Sequence, residues 1–298
     1  MKTMKTIKTL LSTILISLFA ATAFAVDVDR TIDAADDGHV EVSNVSGEIT
    51  IEGWNQSKVE VTGTIGRDVK ELIVERDGDD VSIKVKLPRG SSSASDADLH
   101  IRVPEGSSIN VGTVSADIDV TGVNGEQSLH TVSGNVTTES RGDDVSAESV
   151  SGDVDVSGDG SDSEVEANTV SGDVTIKRVA GEVVGESVSG SVEVQGGSFD
   201  RADLNTVNGE VNFQGELRED GRLSIETVNG SADVEFVGDV SARINIETFN
   251  GGIRNCFGPK AERTSKYAPG WELDFTEGDG DGRVDISTMN GRVELCKK

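Results

Sequence analysis

Two cysteines, one Asp-Gly run and a set of recurring Ser, Thr and Asn positions are the residues with chemistry to offer. Cys256 follows Gly251 by five residues and Cys296 follows Gly291 by five, so both hold the same slot of two matching segments. If those segments are neighbouring coils, the Cα atoms lie about 5 Å apart, within the range a disulfide accepts. An exported chain with two cysteines favours that bond, with two buried thiols or a metal site as alternatives. No His lies near them in sequence to complete a zinc site. The run from Glu277 to Asp285 sets oxygen donors at alternate positions, Gly at the sixth, an aliphatic at the eighth and Asp at the ninth. That is most of an EF-hand calcium loop, with Glu277, Asp279, Asp281 and Asp285 as candidate ligands. Thr288 stands where the bidentate Glu belongs, and Val284 onward reads as strand, so a solvated acidic turn is the competing reading. No cofactor other than this possible calcium is implied.

Catalysis finds little support. His39, His100 and His130 are far apart, and no Ser sits in a nucleophile elbow. Paired carboxylates occur throughout a chain with 54 acidic residues, so a pair discriminates nothing. A sugar-cleaving cleft would need aromatic and basic subsites, and the repeats are almost free of aromatics. No enzyme is expected.

The elements that position these residues follow from internal repetition. A phrase recurs as Thr131-Val132-Ser133-Gly134, Ser149-Val150-Ser151-Gly152, Thr169-Val170-Ser171-Gly172 and Ser187-Val188-Ser189-Gly190. It continues around Thr206 and Asn208, Thr227 and Asn229, Thr248 and Asn250, and Thr288 and Asn290. The glycines step by 18, 20, 18, 19, 21, 21 and 40 residues. A degenerate copy is Thr113-Val114-Ser115-Ala116, and an isolated one is Asn44-Val45-Ser46-Gly47. Flanking residues alternate apolar and polar, as in Leu223, Ile225 and Thr227, the period of a strand with one buried face. Each copy therefore reads as strand, bend, strand, with Gly suited to the bend because it tolerates positive φ. Like residues in like slots, near a 20-residue period, favour stacked coils over a hairpin meander. The Ser/Thr and Ser/Asn slots would form ladders along the stack, or else only fill turn positions. The expected fold is all-β: a parallel, single-stranded and right-handed β-solenoid with rungs of about 19–21 residues. Nine rungs make a rod of roughly 40 Å.

The flanks differ. Met1–Ala25 has a Lys-rich start, an apolar core and an Ala-Phe-Ala end, the pattern of a secretory signal peptide. Residues 26–108 are expected to form a first coil and an antiparallel flap, with strands Lys58–Ile65, Lys70–Arg76, Val81–Leu87 and Asp98–Val103. Asp77-Gly78-Asp79-Asp80 reads as a hairpin turn and Arg89–Ser95 as a loop. Residues 109–298 are the solenoid. An insert at about 257–282 collects Phe257, Tyr267, Trp271 and Phe275, close after Phe249. It reads as a hairpin capping the C-terminal end, with a partner-binding patch as the alternative. The net charge of −27 becomes −30 once the three Lys of the leader are removed. Such a surface repels nucleic acid and keeps strand edges apart. No later stretch is apolar enough to span a membrane as a helix.

The start Gly47-Glu48-Ile49-Thr50-Ile51 with Gly53-Trp54, the element Val103-Pro104-Glu105-Gly106, the Val-Ser/Asn-Gly repeats and the Gly-rich loop before Thr288 resemble one known family. It is the bacterial putative-adhesin family of β-strand-repeat domains, of unknown function, and the likeness covers nearly the whole chain after the leader. The resemblance implies architecture and brings no catalytic residues. The expectation is an exported envelope protein, most simply periplasmic, that binds an unknown envelope protein or glycan. A calcium-stabilised module and a glycan-active enzyme are the alternatives. End-to-end self-association through open rung edges is a further expectation.

Overall fold

The computed structural model describes residues 25–88, 96–265 and 269–298. The leader before Ala25, the expected loop Arg89–Ser95 and Tyr267 lie outside the described residues. Among those described there is no helix. Twenty-five strands join into one continuous sheet.

The middle of the chain is the repeat itself. Strands β1 (Val26–Asp33) to β7 are treated below; the regular stack starts with β8 (Ser108–Gly112) and β9 (Ser115–Thr121). Next come β10 (Gln127–Thr131) with β11 (Val136–Ser140), β12 (Val145–Ser149) with β13 (Val154–Gly158), and β14 (Asp162–Thr169) with β15 (Val174–Lys177). They are followed by β16 (Ala180–Ser187), the long β17 (Val192–Thr206) and β18 (Val211–Thr227), and β19 (Ala232–Phe236). Each pairs in parallel with its equivalent one repeat away, as Val145↔Val165 and Val154↔Val174. Alternate residues face a single interior of Val, Ile, Leu and Ala. Phe199, Phe213 and Phe236 stack within it at centroid separations of 5.5 and 5.9 Å.

Both ends depart from a simple coil. At the N-terminal end lie β2 (His39–Ser43), β3 (Ser46–Trp54), β4 (Lys58–Ile65), β5 (Glu71–Asp77), β6 (Asp80–Lys86) and β7 (Ala97–Pro104). Strands β2 and β3 pair in parallel with β8 and β9 on one side and with β6 and β7 on the other. The expected flap is thus half a rung, because Val81, Ile83, Leu99 and Ile101 point into the core. The antiparallel strands are β1 on β4, β4 on β7, and β5 on β6 through the turn at Asp77 and Asp80.

The C-terminal end mirrors this. It holds β20 (Ala242–Asn250), β21 (Ile253–Asn255), β22 (Glu262–Arg263), β23 (Trp271–Glu277), β24 (Gly282–Asn290) and β25 (Val293–Lys297). Strand β18 pairs with β24, not with β20, and β24 in turn pairs with β20. The last copy of the repeat is therefore slotted between the two copies that precede it. The chain reaches that place by running back as β23, antiparallel to β20 along its outer edge. The sheet is consequently mixed and solenoid-like rather than the wholly parallel coil expected from the period.

The repeat glycines also have a different reason from the expected one. None of Gly134, Gly152, Gly172, Gly190, Gly209, Gly230, Gly251 or Gly291 has positive φ. Each lies against the backbone of the next rung: a Cβ on Gly190 would sit 1.8 Å from Gly172 O. Close approach of stacked backbones is what excludes a side chain there.

Candidate functional site

The Ser/Thr slot faces inward. Ser149 Oγ donates to Gly134 O at 2.8 Å, Thr169 Oγ1 to Gly152 O at 2.9 Å, and Thr206 Oγ1 to Gly190 O at 2.8 Å. Thr131, Thr248 and Thr288 make the matching bonds to Ala116, Gly291 and Gly230. Thr227 is buried in the same slot. This row ties rungs mostly to the backbone of a neighbour; only Thr113 Oγ1 donates to another hydroxyl of the row, Thr131 Oγ1 at 2.8 Å, among the described residues. The next polar slot is exposed. Ser133 and Ser171 offer their backbone N–H to Val114 and Val150 one rung away. Asn208, Asn229, Asn290 and Asn250 form a true amide ladder, with Nδ2 to Oδ1 distances of 2.9–3.0 Å. Its order, with Asn290 before Asn250, repeats the swapped stacking of the last rung.

Between these two slots sits a residue the sequence reading passed over. Val114, Val132, Val150, Val170, Val188, Val207, Val228, Met289 and Phe249 are stacked in that order, and each is 38–55% exposed. Nine apolar side chains thus form one row of about 40 Å at the rung spacing. The signal was available: with Thr inward, the next residue points outward, yet it is apolar in every copy. Surface valines scattered singly need no explanation, but a contiguous row does.

From Val150 to Phe249 the row forms one wall of a groove of about 980 Å³. The other wall carries His130, Glu148, Asn168, Glu186, Asn205, Glu226, Ser287 and Glu247, one from each rung. The C-terminal insert lines the far end with Thr264, Gly270 and Trp271. Arg263 stacks over the Trp271 ring at 4.9 Å. The aromatics of the insert divide: Phe257 and Phe275 pack on the core with centroids 6.0 Å apart, while Trp271 faces the groove beside Phe249 of β20.

The remaining expected sites fall elsewhere. Cys256 and Cys296 are joined in a disulfide with Cα atoms 4.9 Å apart. Their rungs are neighbours because β25 lies beside β21. The four candidate calcium ligands do not converge. Glu277 ends β23, Asp281 Oδ2 accepts from Ser241 Oγ at 3.2 Å, and Asp285 is paired with Arg283 on the face of β24. The amides of Asp279 and Gly280 donate to Ser241 Oγ at 3.0 and 3.1 Å. The turn runs straight into a strand, so Asp285 is carried away from the loop instead of back into it. Among the described residues no group of three or more His, Cys, Asp or Glu is placed to hold a metal ion. The histidines stay apart: His39 contacts Ser108 at 3.1 Å, His100 lies 3.5 Å from Glu52, and His130 lies 3.1 Å from Glu148.

The stacked rungs, the inward Thr row and the exposed apolar row define a solenoid-like β-repeat protein with a long lateral groove. The chain belongs to the Toastrack family, DUF4097, which matches residues 32–184 and again 180–295. No curated protein matches it in sequence. It is similar to solved structures of a putative adhesin from Parabacteroides distasonis (12% identity, TM-score 0.45, covering 91% of this chain and 98% of that one). It is also similar to a putative adhesin from Bacteroides fragilis (10%, 0.46, 90% and 96%). A third is named as a putative lipid binding protein from Parabacteroides distasonis (17%, 0.48, 91% and 96%).

Proposed function

We propose that this protein is a non-enzymatic, adhesin-like binding module of the cell envelope, exported by its leader. It holds an extended partner segment in the lateral groove. The observation that carries this reading is the unbroken row from Val114 to Phe249, left exposed in a chain whose other apolar residues are largely buried. The partner segment is apolar where it meets the valines and basic where it meets Glu148, Glu186, Glu226 and Glu247. A net charge of −30 without the leader draws such a segment in and disfavours a second copy of this chain in the same place. The separate settings of the three histidines support a role without catalysis. On the same reading the parallel coils wind right-handed, the sense the crossover rule favours.

Calorimetric titration of the protein lacking its leader tests the reading, with a peptide alternating Lys and Leu and its Glu/Leu counterpart. The Lys/Leu peptide should bind, and the triple variant V170S/V207S/V228S, which removes the apolar surface without adding charge, should weaken it by at least about 10-fold, or 1.4 kcal/mol, with an unchanged melting temperature. Equal binding of both peptides, or an unaffected triple variant, overturns the proposal.

A further inference from the structure

On the outward side of the C-terminal rungs the register pairs Arg201 with Arg222, Arg222 with Arg283 and Arg283 with Arg243. Four successive rungs carry a guanidinium in one slot, and all four arginines are exposed. The chain has 54 acidic residues against 27 basic ones, so composition alone favours an acid there. Like charges stacked on adjacent strands oppose the pairing. Half of that repulsion is relieved locally. Arg201 is bonded to Asp203 at 2.6 Å and Arg283 to Asp285, in each case two residues along the same strand. The two rungs between and beyond them lack the acid. Arg222 has Ser224 in that slot and Arg243 has Asn245. Neither the Arg222 nor the Arg243 side chain has a hydrogen bond or ion pair among the described residues.

These two free guanidiniums flank the Arg283–Asp285 pair in a depression of about 490 Å³, bordered by Asn245 and Thr276 and by the carboxylates of Asp220, Asp274 and Asp281. That volume suits a small ligand. A guanidinium fork matches a carboxylate, and two of them can share one. Asp274 accepts hydrogen bonds from hydroxyl groups, and Asn245 and Thr276 can donate or accept them. The same carboxylates repel a bare multivalent anion or a polyphosphate. We propose that this depression is a binding subsite for an acidic sugar, with its carboxylate on Arg222 and Arg243 and its hydroxyls on Asp274 and Asn245. It is separate from the lateral groove and does not depend on the groove's role. It also exists only because the last rung is inserted: along the chain the order is 201, 222, 243, 283, and in space Arg283 stands between the other two.

The test is titration of the protein lacking its leader, followed by chemical-shift changes, with galacturonic acid, a galacturonic acid oligomer, galactose and inorganic phosphate. Galacturonic acid should bind and galactose should not. R222Q/R243Q should weaken binding at least about 10-fold, while leaving the melting temperature equal or higher because like charges are removed. Tighter binding of the oligomer would assign the source as a glycan chain; equal binding would assign the free sugar acid. The proposal fails if galacturonic acid does not bind at millimolar concentration, or binds no better than galactose. It also fails if phosphate binds as well or the double variant binds unchanged.

Discussion

Replacing Gly190 with Ala tests whether close backbone stacking holds this fold together. The added Cβ would lie 1.8 Å from Gly172 O, whereas ordinary contact begins near 3.4 Å. The two rungs must therefore part by more than an ångström at the bend. Three bonds cross that spot. Ser189 N donates to Val170 O at 3.0 Å, Val174 N to Ser191 O at 2.9 Å, and Ser187 Oγ to Gly172 O at 2.9 Å. The bend is partly exposed, so each lost bond costs about 0.5–1.5 kcal/mol net, and loss of the three gives roughly 2–4 kcal/mol. The control is Gly112→Ala, at the end of β8, where a Cβ would meet nothing within 4 Å and φ is not positive. That change should stay within about 1 kcal/mol of the parent and can stabilise by restricting the unfolded chain. Urea unfolding under identical conditions reads both midpoints and slopes. If Gly190→Ala unfolds at the midpoint of Gly112→Ala, the contact argument is wrong.

Two further outcomes follow from the same structure. The Cys256–Cys296 bond spans 40 residues, so chain entropy makes C256S/C296S about 4 kcal/mol less stable, and an unchanged thermal melt with and without reductant would refute it. Burial pushes the Asp233 carboxyl above its ordinary range, Arg292 at 4.0 Å opposes this, and Glu294 and Glu210 add to it. The folded state then holds the proton more tightly than the unfolded one, so the penalty is absent below the unfolded value of about 3.9 and grows as pH rises through the raised folded value. D233N should therefore raise the melting temperature at pH 7 and leave it unchanged at pH 3. A variant that melts lower at pH 7 refutes the sign.

Much of the local structure was legible beforehand because strand alternation and turn chemistry are local properties. Lys58–Ile65 is a strand with those bounds, and the Asp77 to Asp80 turn closes the expected hairpin. The equal offsets of Cys256 and Cys296 from their glycines announced a shared slot, which the disulfide occupies. The apolar row was overlooked because a Val beside a Gly bend was counted as part of the bend rather than followed outward to solvent. The four candidate calcium ligands are dispersed for a related reason: spacing along a chain says nothing about direction once the segment becomes a strand.

The sequence by itself determined the shape of one coil: the inward Thr, the outward Val, the side-chain-free Gly and the strand on either side. Only the tertiary structure decided which coil touches which. Chemically alike rungs offer one another nearly the same backbone bonds in any order, so the period cannot rank the neighbours. The antiparallel return of β23 breaks that tie by carrying the chain to the outside of β20 and back inward. Through it β24 enters between β18 and β20, and with that single placement come the disulfide partners, the order of the Asn ladder and the stacked arginines.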